Sequence, residues 1–99
     1  MAAYVVLWRE GPIHTPSEME EYRRTSPPPD PRMKPLVVYG AQEHIEGSHP
    51  PEGVVVLEFP SMEDARDWYN GPYNAAAQHR LAAADYRGVI VEGFEMPSS

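Results

Sequence analysis

Apolar residues fall in four short extended blocks, and two stretches with helical punctuation lie between them. The first block, "YVVLWR" from Tyr4 to Arg9, is rich in β-branched and aromatic residues. It stops at Gly11-Pro12, which predicts a strand closed by a turn. In "TPSEMEEYRR" Thr15 is placed to cap, Pro16 to take the first helical position and Glu18 to complete a capping box, so a helix starts here. Met19 and Tyr22 give that helix a narrow apolar stripe. Pro27, Pro28 and Pro29 then remove three amide donors and end it near Thr25.

"PLVVYGAQEHIEG" resumes extended character, and "EGVVVLEFP" follows, which predicts a hairpin of strands two and three with a long loop. Both faces of strand three are largely apolar, unlike a sheet with water on one side. "SMEDARDWYN" reads as a second helix, with Ser61 at the N-cap and Asp64 at the capping-box position. Gly71 interrupts it and Pro72 restarts it, so "PYNAAAQHRLAAAD" continues as a third helical piece before the last strand, "YRGVIVEGFE". The order is that of a ferredoxin-like βαββαβ fold of the α+β class, with a four-stranded antiparallel sheet in a single domain spanning residues 1–99. Helices on one face leave an apolar second face, and a homodimer packed sheet to sheet is the simplest cover.

Charge narrows the partners. Fifteen acidic against eight basic side chains give a formal charge of −7, with no basic cluster. Neither nucleic acid nor an anionic membrane is expected to bind. There is no cysteine, so disulfides, thiol catalysis and thiolate metal sites drop out. "MAAYVVLWRE" lacks a basic leader region and its apolar run is short, which leads to the expectation of a cytoplasmic protein.

The segment "VVVLEFPSMEDARDWYNGPYNAAAQHRLAAADYRGVIVEGF" resembles the second half of domain-of-unknown-function family 1330. There a hydrophobic strand runs into "EFPS", a helix carries a Trp-Tyr pair, a proline restarts the helix and an arginine lies near its end. The "YVV" of the first strand and "IEG" before the third also fit. The resemblance implies a dimeric alpha-beta barrel, a superfamily that includes monooxygenases, lactone isomerases, polyketide cyclases and haem enzymes; the fold alone does not choose among them. This chain departs from the family at "SPPPDPRMKP" (residues 26–35), where five prolines in ten residues replace the usual glycine turn into strand two.

Several residues are candidates for chemistry. Counting by fours and threes through the second helical region gives Ala65, Tyr69, Pro72, Ala76, His79 and Ala83, a stripe expected to face the sheet. An imidazole among alanines can sit as a base in a pocket, so His79 is the first catalytic candidate; the alternative is a hydrogen-bonded structural histidine. Its neighbour Arg80 matches the family's arginine, and is expected either to pair with an acid such as Asp85 or to clamp an anionic ligand. Tyr22, where helix one is cut short, is the second catalytic candidate, its phenol facing a ligand. Trp8, Trp68 and Tyr69 are candidate substrate contacts, although most aromatics serve core and interface. His14, beside the start of helix one, is placed to help hold a carboxylate or to serve as a second acid–base group, the alternative being a plain surface-loop histidine. His44, His49, Glu43 and Glu46 match no zinc spacing, and no metal is expected.

Nucleophile elbows, phosphate loops and dinucleotide fingerprints are absent from the sequence. What remains is a small-molecule enzyme working without a cofactor by acid–base chemistry on a largely apolar or aromatic metabolite, through cyclisation, isomerisation or dehydration. The alternative is a non-catalytic dimer that binds a small ligand or serves as an interaction module. Pro28 and Pro31 also satisfy the PxxP spacing of docking peptides, a match that such dense prolines produce by chance. An internal connection, anchored at both ends, is instead expected to be ordered and to line the site wall from Tyr22 to Pro35.

Overall fold

Gly53, Val55, Leu57 and Phe59 alternate along one strand, and all four are buried. The strands and helices that bury them are the ones the pattern predicts. The computed structural model describes residues 1–97. Its elements are β1 (Ala3–Arg9), α1 (Pro16–Thr25), β2 (Lys34–Val38), β3 (Gly53–Phe59), α2 (Met62–Asn70), α3 (Asn74–Ala83) and β4 (Tyr86–Glu92). The strands form one antiparallel sheet in the order β2-β3-β1-β4, the ferredoxin-like arrangement. Among the described residues no helix is long and apolar enough to cross a membrane.

Register decides which side chains meet. Val5 lies opposite Leu57 and Ile90, and Leu7 opposite Val55 and Gly88. Val5, Leu7, Val55, Leu57 and Phe59 pack against Ala65 and Trp68 of α2, Ala77 of α3, and Tyr73 between the two helices. Trp68 meets Phe59 with ring centres 5.2 Å apart and stacks on Tyr73 at 4.2 Å. Burying each large apolar side chain contributes about 1.5–3 kcal/mol, so this cluster is the main source of stability.

The helix ends follow local chemistry in one case and tertiary demand in the other. At α2 the Ser61 hydroxyl accepts the Asp64 amide (3.1 Å) and donates to the Asp64 carboxylate (3.0 Å). At α1 the expected capping box does not form. The Thr15 hydroxyl pairs with His14 Nδ1 (2.9 Å), and the Glu18 carboxylate leaves the helix end for His79 on α3 (2.6 Å). Gly71 lets α2 stop and the chain turn, because a Cβ there would lie 2.4 Å from the Asp67 carbonyl oxygen. α2 and α3 are thus separate helices, not one kinked rod.

Strand two is shorter than "PLVVYGAQEHIEG" suggests. It ends at Val38, and Tyr39 takes a left-handed conformation (φ +52°) that turns the chain out of the sheet. His44 and Glu46 therefore lie in an exposed loop rather than on a strand face, and His44 Nε2 sits 2.8 Å from the Gly47 carbonyl oxygen.

α1 packs alongside α3, and only Met19 of its residues is buried. A ten-residue helix stopped by prolines leaves sheet uncovered near β2. The chain from Ser26 to Lys34 crosses that gap as a strap. Asp30 accepts three bonds from Arg32, through its amide (2.8 Å), Nε (3.0 Å) and a terminal nitrogen (3.0 Å), and Arg32 reaches on to Asp64 of α2 (3.3 Å). An ordered strap tied to a helix argues against a docking peptide held out to solvent.

Candidate functional site

Between the strap and the sheet lies a cavity of about 340 Å³. Leu7, Val55, Leu57 and Val38 form its floor, Pro27, Pro28, Pro29, Met33 and Pro35 its outer wall, and Tyr22, Trp68, Tyr73, Tyr39 and Arg80 the rest. Such a volume suits a small organic molecule, being near the low end of the roughly 300–1,000 Å³ range of ligand pockets. A second cavity of about 190 Å³ lies along β4 and shares Arg80, while a third of about 240 Å³ shares Tyr22 and Tyr39. No aspartate or glutamate lines any of the three.

Arg80 is the centre of this region. Its side chain is 2% exposed, making it the largest fully buried residue. Nε donates to the Tyr73 hydroxyl (3.2 Å), and the guanidinium lies 4.5 Å over the Tyr86 ring. One terminal nitrogen, Nη1, is buried with no hydrogen-bond partner, and no carboxylate forms a salt bridge with Arg80 among the described residues. Asp85, the expected partner, is exposed. A buried cation without an anion is costly, which makes this side chain the strongest sign of a ligand site.

Two phenol pairs surround it. Tyr22 and Tyr73 share a 2.7 Å hydrogen bond with rings at 87°, and Tyr39 and Tyr86 share another of 2.7 Å. Burial pushes the Tyr73 phenol above its usual pKa, and the bond to Tyr22 adds to this; burial and then Tyr86 do the same for Tyr39. Both stay protonated donors. Because Tyr73 oxygen already accepts from a guanidinium, its proton is best directed to Tyr22, leaving the Tyr22 proton for a molecule in the cavity. Tyr39 holds its place because Gly53 has no side chain: a Cβ on Gly53 would lie 2.5 Å from the Tyr39 ring.

The residues singled out in sequence separate into two groups. Tyr22, Trp68 and Arg80 meet at the main cavity, and Tyr69 lines the smaller one along β4. His79, His14 and Trp8 line none of the three. His79 is not on the sheet-facing stripe. That stripe is Ala76, Ala77, Arg80 and Ala83, and His79 sits half-buried on the flank, bonded to Glu18. The expected stripe holds at Ala76 and Ala83, both buried, but between them the inward position belongs to Arg80, four residues after Ala76 and three before Ala83, and not to His79. His14 is exposed in the loop whose His14 and Thr15 amides bond the Ala83 carbonyl at the end of α3. Trp8 lies on the opposite sheet face, its indole donating to Glu10 (3.1 Å) with Arg87 over its ring.

Tyr39, Tyr73, Tyr86 and Arg9 are site residues that the sequence reading did not select. Arg9 was within reach: Ala3, Val5, Leu7 and Arg9 alternate along β1, which puts the arginine on the helix side of the sheet. Nothing in the local sequence marks Tyr39, whose position depends on the bare backbone of Gly53.

A family model described as a domain of unknown function, DUF1330, matches residues 2–94. The chain belongs to this family. No curated protein matches it. Membership supplies no chemistry, so this DUF1330 chain must be read from its cavity. The proline strap is a wall of that cavity.

Proposed function

We propose that the cavity beside Arg80 binds a small, largely apolar or aromatic compound bearing a carboxylate. The carrying observation is the buried Arg80 guanidinium with its unpartnered Nη1. A carboxylate there would supply the missing charge-assisted hydrogen bond, while Trp68, Leu57 and the strap prolines enclose the apolar body. Isothermal titration calorimetry with phenylacetate and hexanoate, against their amides, tests this. Both acids are expected to bind and both amides to bind at least about tenfold more weakly. Equal binding of acid and amide would remove Arg80 from the argument.

A second reading, acid-assisted isomerisation, cyclisation or dehydration in the same cavity, is favoured by the Arg80–Tyr73–Tyr22 hydrogen-bond chain. Arg80 would stabilise an enolate-like anion and Tyr22 would deliver a proton. Among the described residues no histidine or carboxylate lines the cavity, so this chemistry draws its base from the substrate or from solvent. Binding is accordingly the primary function and catalysis the extension.

The homodimer belongs to the same proposal. On the face away from the helices Val6 lies between Val56 and Val89, and Tyr4 between Glu58 and Val91, with Val89 and Val91 nearly half exposed. Two such faces stacked about 10 Å apart would bury each other's valines. Native mass spectrometry is expected to give a dimer, and Val56→Asp a monomer.

A further inference from the structure

Arg80 is not the only cation here without an anion. The third cavity is lined by Arg9, Ile13, Met19, Tyr22, Arg23, Tyr39 and Tyr86, and it meets the main cavity at Tyr22 and Tyr39. Arg9 Nε is buried with no hydrogen-bond partner, and neither Arg9 nor Arg23 forms a salt bridge among the described residues. Arg24, Arg32 and Arg87 do pair with carboxylates. With nearly two acidic side chains for every basic one, chance pairing would favour neutralising such arginines. Of the four arginines left over, Arg66 is exposed on α2, and the other three gather instead around the same tyrosines.

The geometry ties the two cation sites into one. Arg9 lies directly across the β1–β4 ladder from Tyr86, whose ring carries the Arg80 guanidinium and whose hydroxyl bonds Tyr39. Tyr39 lines the main cavity with Arg80 and the adjoining one with Arg9, so both guanidiniums stand near this phenol. Two like charges around one tyrosine pair in a partly desolvated place repel, and an anion at each relieves that cost.

We propose that the ligand of this site is a dicarboxylate, with one carboxylate on Arg80 in the strap cavity and the other on Arg9, with Arg23 at the mouth, in the adjoining cavity. The chain of the ligand passes between Tyr22 and Tyr39, whose hydroxyls are placed to orient it. This rests on the carboxylate reading of Arg80 and adds the second anionic subsite.

Calorimetry on the purified full chain with succinate, adipate and suberate, against butyrate, hexanoate and octanoate, tests it at fixed ionic strength. At least one diacid is expected to bind about tenfold or more tighter than the monoacid of equal length. Arg9→Met is expected to weaken diacids far more than monoacids and so abolish that preference, whereas Arg80→Met weakens both. Arg9→Lys, which keeps the charge, retains part of the preference and controls for misfolding, alongside circular dichroism of each variant. Equal affinity for diacids and monoacids in the wild type overturns the second subsite alone. An Arg9→Met variant that weakens both classes equally also overturns it. Failure of every acid to bind overturns the Arg80 reading together with it.

Discussion

The two ends of the helix–sheet layer are built from the same strands and differ in almost everything else. At one end, where Ala3 lies opposite Phe59, the residues Ala3, Phe59 and Ala65 are essentially without exposure, and the nearby arginine, Arg32, is held by Asp30 and Asp64. At the other, where Arg9 lies opposite Gly53 and Tyr86, there are cavities, four tyrosine hydroxyls in pairs, a left-handed Tyr39 and arginines with no carboxylate. The closed end satisfies its own charges and fills its own volume. The open end does neither, and a protein of ordinary marginal stability keeps such a cost where a ligand relieves it.

The contrast breaks if the closed end is not the source of stability. Phe59→Ala removes a fully buried ring packed on Trp68 and is expected to cost about 3–5 kcal/mol in urea unfolding, with ligand affinity of the folded fraction unchanged. A loss below about 1 kcal/mol would mean that the two ends are not energetically distinct.

Arg80→Met sharpens it from the other side. Carboxylate binding is expected to fall about 100-fold, while the melting temperature of the unliganded protein stays level or rises, by up to ~2 kcal/mol of added stability. Stability lost in proportion to binding would make Arg80 a structural residue instead.

A smaller effect is expected at the neighbouring residue. His79→Gln breaks the half-exposed tie between α3 and Glu18 on α1, costing about 0.5 kcal/mol with no change in ligand affinity. Adjacent residues on one helix would then differ completely in role, and any fall in affinity would return His79 to the site.

The smallest signal is a pH dependence of the strap. Hydrogen bonds from the Arg32 side chain, then its amide, hold the Asp30 carboxyl below its usual range. Its stabilising contribution is therefore present above the ordinary carboxylate range and is lost as pH falls through the lowered value. Asp30→Asn is expected to flatten the acid side of the urea midpoint against pH, slightly but measurably. An unchanged profile would show that the strap does not depend on this tie.

Local pattern carried the fold a long way. Alternation in β1 and β3, the Ser61 cap, the proline stop after Thr25 and the Gly71 break are each properties of a few adjacent residues, and each appears in the structure as the chain implied. The failures have a common cause. Spacing along the chain assigns Glu18 to its own helix end, but His79 on another helix is the partner it takes. Between Ala76 and Ala83, both inward, the spacing admits His79 or Arg80, and what packs around α3 gives the inward position to Arg80. Tyr39 was read as part of a strand, though its turn is tied to Gly53 and Tyr86 across the sheet.

By itself, then, the sequence determined the elements, their order and the apolar second face. Those depend on backbone sterics and on periodicities of two and about 3.6 residues, which are local. Only the tertiary structure decided that Arg80, Arg9 and four tyrosines from α1, the loops and β4 meet around cavities that no carboxylate of the described residues lines. Electrostatic pairing depends on distance in space, and whether an arginine is neutralised is a property of everything that folds around it.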